Sequence, residues 1–304
     1  MIIVVCPGQG SQAPGFLAPW LAESSYRDHL AELSDAAGID LAAHGTTSDS
    51  DTIRDTAVAQ PLIVAAGLLA LRPLLEGRER KVGGVAGHSV GELTAAAAAG
   101  IFSETDAMAL VRVRSQAMAE AAAQTPTGMS AVIGGDEDEL LATLERLDLQ
   151  PANFNGGGQI VVAGALAALQ TLAQNAPPGA RVVPLQVAGA FHTRYMSSAV
   201  ERLRDAAAAV STHSPKFAIW SNRDGGPVSD GSTFRDYIVG QVSSPVRWDR
   251  TMASFADNGV TGIIEVTPAG ALVGLAKRVL KGVPTVAIKT PDDLSAAIEL
   301  LENS

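Results

Sequence analysis

Residues 86–92 read AGHSVGE, and within them Gly87-His88-Ser89-Val90-Gly91 fits the pattern Gly-x-Ser-x-Gly. A serine so placed is either a nucleophile on a sharp strand-to-helix turn or a serine between glycines by chance, which a chain with 30 glycines readily supplies. The flanks favour the turn. Lys81–Ala86 has the short apolar look of a strand, and from Glu92 an Ala-rich helix runs to Gly100, a natural C-terminal cap. The start of that helix would point backbone N–H groups and a positive partial charge at Ser89, where an oxyanion would form.

Outward from this turn, strands alternate with helices. Ile2–Cys6 is a wholly apolar run ended by Pro-Gly, a strand buried on both faces. Helices are expected at Phe16–Ala37, from Gln60-Pro61 onward, and at Asp106–Ala123, and further strands at Phe217–Trp220, Gly262–Val266 and Thr285–Ile288. The rhythm changes at Pro126. Strands at Met129–Gly134, Ala152–Phe154, Gln159–Gly164 and Val182–Val187, with helices at Asp136–Leu147 and Ala165–Asn175, give the order β-α-β-β-α-β. The expectation is an α/β protein. A large α/β-hydrolase-like domain with a mostly parallel sheet, residues 1–125 and 189–304, would carry an inserted small ferredoxin-like subdomain at 126–188.

Bulk composition narrows the function classes. The 304 residues are 47% hydrophobic and 18% charged, enough for a sizeable core and unlike a disordered chain. A net charge of −10 argues against nucleic acid as a partner, because phosphate binding needs clustered Lys and Arg. The single cysteine, Cys6, permits no internal disulfide and no cysteine-based zinc site. Met1–Val5 lacks a basic flank and runs into Pro7-Gly8, unlike a signal peptide, and long apolar stretches are interrupted by charges or helix breakers. A cytoplasmic protein, with no membrane association and no metal, is expected.

A nucleophilic serine needs a base. Of five histidines, His29 and His44 lie in polar stretches and His213 in a loop, all three read as solvated. His88 adjoins the serine and is read as packing against or orienting the turn. His192 follows an apolar run and the small residues Ala188-Gly189-Ala190, past a strand end, where α/β proteins place ligand sites. No acidic residue between Ser89 and His192 stands out as a third member, so a Ser–His pair steadied by a neutral carbonyl is preferred to a full triad. Gly8-Gln9-Gly10-Ser11-Gln12-Ala13 fits the dinucleotide fingerprint, but it is bracketed by Pro7 and Pro14 and lacks a following acidic strand end. It can equally donate N–H groups to an oxyanion. Arg114 falls within the apolar stripe Ala107, Leu110, Val111, Met118 and Ala121. An inward guanidinium needs a partner, and two remain open: a structural Asp or Glu, or a substrate carboxylate.

The ordered motifs together resemble the malonyl-CoA:acyl carrier protein transacylase family, its actinobacterial members above all. They are PGQGSQ at 7–12, AQP at 59–61, AGHSVGE at 86–92, LVRVRSQAM at 110–118 and NFNGGGQIVVAG at 153–164. GAFHT at 189–193, SN at 221–222, GQVSSPVRW at 240–248 and EVTPAGALVGLAKR at 265–278 continue the match. The resemblance implies Ser89 as nucleophile, His192 as general base, and the backbone N–H groups of Gln9 and Val90 as the oxyanion hole. It implies that Gln241 steadies His192 through a carbonyl, that Arg114 holds the malonyl carboxylate, and that Asn155 lies near the pantetheine arm. Phe191 would exclude an α-methyl group, and His88 would line the substrate site. Malonyl-CoA and acyl carrier protein would be the partners, CoA entering as a thioester substrate with no cofactor, and the enzyme would act as a monomer. Extender units for fatty acid or polyketide synthesis would be the product. A serine hydrolase and a non-catalytic carrier-docking module are the rival readings.

Overall fold

In the computed structural model, which describes residues 1–303, the chain forms ten strands and twelve α-helices. The first half of the larger layer comprises β1 (Ile2–Cys6), α1 (Ser24–Ala37), α2 (Leu41–Thr46), α3 (Thr56–Leu75), β2 (Val82–Gly87), α4 (Gly91–Ala98) and α5 (Glu104–Gln124). There follow β3 (Thr127–Gly134), α6 (Glu137–Arg146), β4 (Gln150–Gly156), β5 (Gln159–Ala165), α7 (Leu166–Gln174) and β6 (Ala180–Pro184). The remainder is α8 (Ser197–Ala208), β7 (Ala218–Trp220), β8 (Pro227–Val228), α9 (Gly231–Gln241), α10 (Trp248–Asp257), β9 (Gly262–Glu265), α11 (Ala271–Val279), β10 (Thr285–Ala287) and α12 (Leu294–Glu302).

Two sheets result. The larger runs β10-β9-β1-β2-β7-β8, parallel except for the β7–β8 edge pair, and the smaller is an antiparallel sheet of order β4-β5-β3-β6. The β1 sequence IIVVC is buried at every position, as a central parallel strand with helices on both faces must be. Helix α3 is long and apolar enough to cross a membrane by length and composition, yet most of it is buried against the rest of the fold. It begins at Thr56 under an Asp55 cap, earlier than Gln60-Pro61 suggests.

Three local expectations change. The helix read over Phe16–Ala37 is a 3₁₀ turn at Trp20–Ala22 followed by α1, the two separated by Glu23, whose backbone is extended. The strand read over Val182–Val187 spans Ala180–Pro184, and Leu185–Val187 instead lines a cleft between the two sheets. His29 is not solvated: it is buried, with Nε2 2.7 Å from Glu104 Oε2.

Because β1 and β2 are parallel neighbours with Cys6 opposite Gly87, the loops after both strands emerge side by side. The turn after β7 joins them, since β7 pairs with β2. These carboxyl ends form one wall of the cleft, and the antiparallel sheet forms the other.

Candidate active site

The turn between β2 and α4 is set by close packing. A Cβ at Gly87 would fall inside the backbone of Gly91 and Glu92, and one at Gly91 would fall on the Cys6 carbonyl. Only glycine fits either position. Ser89 between them adopts φ 53°, a left-handed conformation costing a non-glycine residue about 1–2 kcal/mol. The turn is braced from below. Asn222 Oδ1 accepts from the Ser89 N–H at 2.7 Å, and Asn222 Nδ2 donates to the Gly87 carbonyl at 2.6 Å. Asn222 N–H in turn donates to buried Glu92 Oε1 at 2.7 Å. Burial pushes the Glu92 carboxyl up to about 8, opposed by the Asn222 N–H and the Arg114 charge.

His192 lies 103 positions along the chain, and its Nε2 is 2.8 Å from Ser89 Oγ. It too has a left-handed backbone, φ 63°; Ser89, His192 and Asp148 are the three described non-glycine residues with positive φ. Strain of this kind collects where function over-determines geometry. Burial, and next the Arg114 charge, pull the imidazole down to about 3, so the ring is neutral at pH 7. Its Nδ1 meets two groups of Gln241, the backbone carbonyl oxygen at 3.2 Å and the side-chain Nε2 at 2.8 Å. Among the described residues no carboxylate hydrogen-bonds to the ring.

Arg114 is 1% exposed, on the apolar stripe of α5. Of its two possible partners, a structural carboxylate makes no hydrogen bond to it among the described residues; buried Glu92 acts on it only through space, its own carboxyl raised to about 8 and so largely protonated at neutral pH. Nη1 donates to Gln60 Oε1 at 2.6 Å, and Nη2 to Gln241 Oε1 at 3.0 Å and to Ser89 Oγ at 3.3 Å. Burial pulls the guanidinium down to about 10, still well above neutral pH, so it keeps its charge. A buried cation satisfied only by neutral oxygens is an anion receptor waiting for a carboxylate.

Around this centre, a cavity of about 80 Å³ is lined by Gln9, Gln60, Ser89, Met118, Phe191 and His192 among others. It shares Gln9, His88, Asn153 and Leu185 with the cleft of about 700 Å³ that reaches Arg54 and Arg278. The backbone N–H groups of Gln9 and Val90 donate to nothing among the described residues. His88 Nε2 donates to Asn155 Oδ1 at 3.0 Å and Asn155 Nδ2 to Gln159 Oε1 at 2.9 Å, so Asn155 is engaged at both ends. Asn153 Oδ1, by contrast, is buried without a partner beside the cleft. Among the described residues no group of three His, Cys, Asp or Glu is placed to hold a metal ion.

Of the nine candidate residues, Gln9, His88, Ser89, Asn155, Phe191 and His192 line the cleft or its cavity. Arg114 and Gln241 hydrogen-bond to Ser89 and His192 behind it, and Val90 follows Ser89 on the turn. Gln60 and Asn153 also line it, and Asn222 and Glu92 brace the turn beneath. Gln60 carried a signal, a polar residue inside the apolar run of α3. Asn222 carried none, since its role depends on β7 lying beside β2.

The chemistry available is nucleophilic attack by a serine, with a neutral imidazole beside it, two free N–H groups, and a buried cation at the same oxygen. The acyl transferase domain model matches residues 3–290. A malonyl CoA-acyl carrier protein transacylase of Mycobacterium tuberculosis (strain H37Rv) is 51% identical, covering 99% of this chain and 100% of its own. The crystal structure of MCAT from Mycobacterium tuberculosis matches with a TM-score of 0.95 at 50% identity, covering 98% of this chain and 99% of that one. A type II PKS acyl-carrier protein in complex with its malonyl-transacylase supplies a further match, TM-score 0.93 at 29% identity, covering 98% and 99%. The chain belongs to the acyl transferase domain family.

Proposed function

We propose that this acyl transferase moves a malonyl group from malonyl-CoA to the phosphopantetheine thiol of an acyl carrier protein through an acyl-enzyme on Ser89. The observation that carries the proposal is Arg114, a buried cation with neutral partners only, 3.3 Å from Ser89 Oγ. An acyl group that ends in a carboxylate fits a receptor there; an uncharged ester leaves it empty.

In the reaction His192 Nε2 takes the Ser89 proton as Oγ attacks the thioester carbonyl. The oxyanion is received by the N–H groups of Gln9 and Val90. The C–S bond breaks, the proton passes from His192 to the CoA sulfur, and CoA leaves. The carrier thiol then gives its proton to His192 and attacks the malonyl-Ser89 carbonyl, restoring the serine. Thioester is exchanged for thioester, a chemistry of proton transfer and nucleophilic attack that asks for no resident cofactor. The Gln241 carbonyl, by accepting from Nδ1–H, fills the place of a triad acid. Phe191 takes up room in the acyl pocket that an α-methyl group would need, and Asn153 and Asn155 face the pantetheine arm.

We read the small antiparallel sheet as a ferredoxin-like subdomain inserted at 126–188, a reading its strand order supports, and the parallel sheet with its serine turn as α/β-hydrolase-like. The carrier, an acidic protein, would approach over exposed Lys277, Arg278 and Lys281 on and after α11, where Arg278 also lines the cleft. The enzyme would work in the cytoplasm as a monomer. The test is single-turnover transfer from malonyl-CoA to a phosphopantetheinylated carrier protein. Malonyl-carrier should form with the unmodified protein and not with Ser89→Ala. Transfer surviving in the alanine variant, or release of free malonate in place of malonyl-carrier, would overturn the reading.

A further inference from the structure

The Gln241 side chain stands between the charge of the site and its base. Its Oε1 accepts from Arg114 Nη2 at 3.0 Å and its Nε2 lies 2.8 Å from His192 Nδ1. A guanidinium offers donors only, so the amide oxygen must face Arg114 and the NH₂ must face the imidazole. An amide N–H directed at Nδ1 is satisfied only if Nδ1 carries no proton. The neutral ring then has its proton on Nε2, donated to Ser89 Oγ at 2.8 Å. In that tautomer His192 has nowhere to put the serine proton. The opposite tautomer, with Nδ1–H donating to the Gln241 carbonyl oxygen 3.2 Å away, is the one a general base requires. Both contacts end on one nitrogen, so they alternate. Gln241 is buried, so its amide has no bulk water to replace a lost partner.

We propose that the Gln241 side chain is a positioning residue that couples the capture of an acyl carboxylate by Arg114 to the tautomer of His192. The proposal rests on the assignment of Ser89, His192 and Arg114 made above. In the free enzyme the amide spans Arg114 and Nδ1 and holds the base in its inactive tautomer. A malonyl carboxylate, binding the guanidinium through two oxygens, displaces Gln241 Oε1. The released amide no longer needs its NH₂ against the ring. As the amide withdraws, a water from the cleft can reach the ring, taking the proton from Nε2 and giving one to Nδ1, the ring being neutral before and after. The Gln241 carbonyl then accepts from Nδ1–H, and Nε2 is free to deprotonate Ser89. An acyl group without a carboxylate leaves the amide on Arg114 and the base switched off. Selection for malonyl is therefore partly a matter of how fast Ser89 attacks, beyond how tightly the substrate binds.

Nitrogen-detected NMR of the histidine-labelled protein reads the tautomer directly. The probes are malonyl-carba(dethia)-CoA and acetyl-carba(dethia)-CoA, which place the acyl group without a cleavable thioester. The free protein should show His192 protonated at Nε2, the malonyl probe should move the proton to Nδ1, and the acetyl probe should leave it in place. A free protein already protonated at Nδ1, or an equal response to both probes, would overturn the proposal. Acylation of the same sample by malonyl-CoA distinguishes the two levels: a protein that is acylated while its tautomer stays fixed retains the transferase reading and loses the coupling. Gln241→Leu removes the amide and keeps the backbone carbonyl. One net hydrogen bond at Nδ1 is worth roughly a tenfold change in tautomer ratio. The malonyl-over-acetyl preference should accordingly fall by about tenfold, through a rise in acetyl kcat, with the free variant protonated at Nδ1. A fall carried by malonyl KM alone would show that Gln241 merely shapes the binding site.

Discussion

Two glycine-rich turns meet in the cleft through the His88–Asn155 hydrogen bond of 3.0 Å: Gly87–Gly91 on the parallel sheet and Gly156–Gly158 on the antiparallel one. In the first, glycine is required because backbone lies where a side chain would start. In the second, glycine serves conformation: the three residues have φ of 74°, 58° and 74°, and a Cβ at Gly157 would find only the Val279 methyl at 3.5 Å and Arg278 Cβ at 3.7 Å. The serine turn is rigid by packing, braced by Asn222 and Glu92; the hairpin has open space beside Gly157 and Gly158, while a Cβ at Gly156 would meet Met252 Cε at 2.8 Å. That places the reacting atoms on the side of the cleft that cannot relax.

The largest effect should come from Gly91→Ala. The added methyl would press on the β1 carbonyl of Cys6, and overpacking against backbone costs about 3 kcal/mol or more. A thermal melt should show that loss, with acylation of Ser89 abolished; a cost below about 1 kcal/mol would mean the turn relaxes after all.

Next is Arg114→Met. A hydrogen bond to a charged group is worth roughly 1.5–3 kcal/mol, so the malonyl-over-acetyl ratio of kcat/KM should fall by about ten- to a hundredfold. Stability should change by less than about 1 kcal/mol, because a costly buried charge leaves together with its hydrogen bonds. A large fall in melting temperature with acyl preference unchanged would make Arg114 a structural residue.

The bracing beneath Ser89 predicts a smaller, pH-dependent effect. The Glu92 carboxyl is raised from 4.5 to about 8, so the folded protein holds a proton that the unfolded chain releases between those values. Its contribution is fully present below pH 4.5 and is lost as pH rises through 8. Melting temperature should therefore decline from pH 6 to 9, and less steeply in Glu92→Gln. Equal slopes would place the raised carboxyl elsewhere. Acylation itself should be nearly flat from pH 5 to 7, since His192, pulled down to about 3, is already neutral. The smallest effect is expected across the cleft. Gly157→Asn keeps a residue that tolerates a left-handed backbone, so stability should shift by no more than about 0.5 kcal/mol. A loss as large as that of Gly91→Ala would erase the distinction between the turns.

The same distinction explains what could be read from the sequence. Gly-x-Ser-x-Gly between an apolar run and an Ala-rich helix is local, and so is the inward Arg114 on its stripe. The parallel sheet and the small antiparallel one were legible from alternating runs of strand and helix. What escaped depends on contacts distant in sequence. The edge strand β8 is two residues long and begins with a proline, too short for any periodicity. His29 sits in a polar segment but is drawn inside by Glu104, 75 positions away. Asn222 braces the serine across 133 positions and is itself held by Glu92 across 130, and the second contact of Gln241 with His192 is visible only when both side chains are placed.

The account turns on Ser89 carrying a malonyl group drawn to it by Arg114, and intact-mass measurement with peptide mapping after brief mixing with malonyl-CoA tests this most directly. It predicts one malonyl adduct, mapped to Ser89, that is discharged by holo-acyl carrier protein, is missing from Ser89→Ala, and forms far more slowly in Arg114→Met. An adduct on another residue, or one that Arg114→Met forms as fast as the unmodified protein, would contradict it.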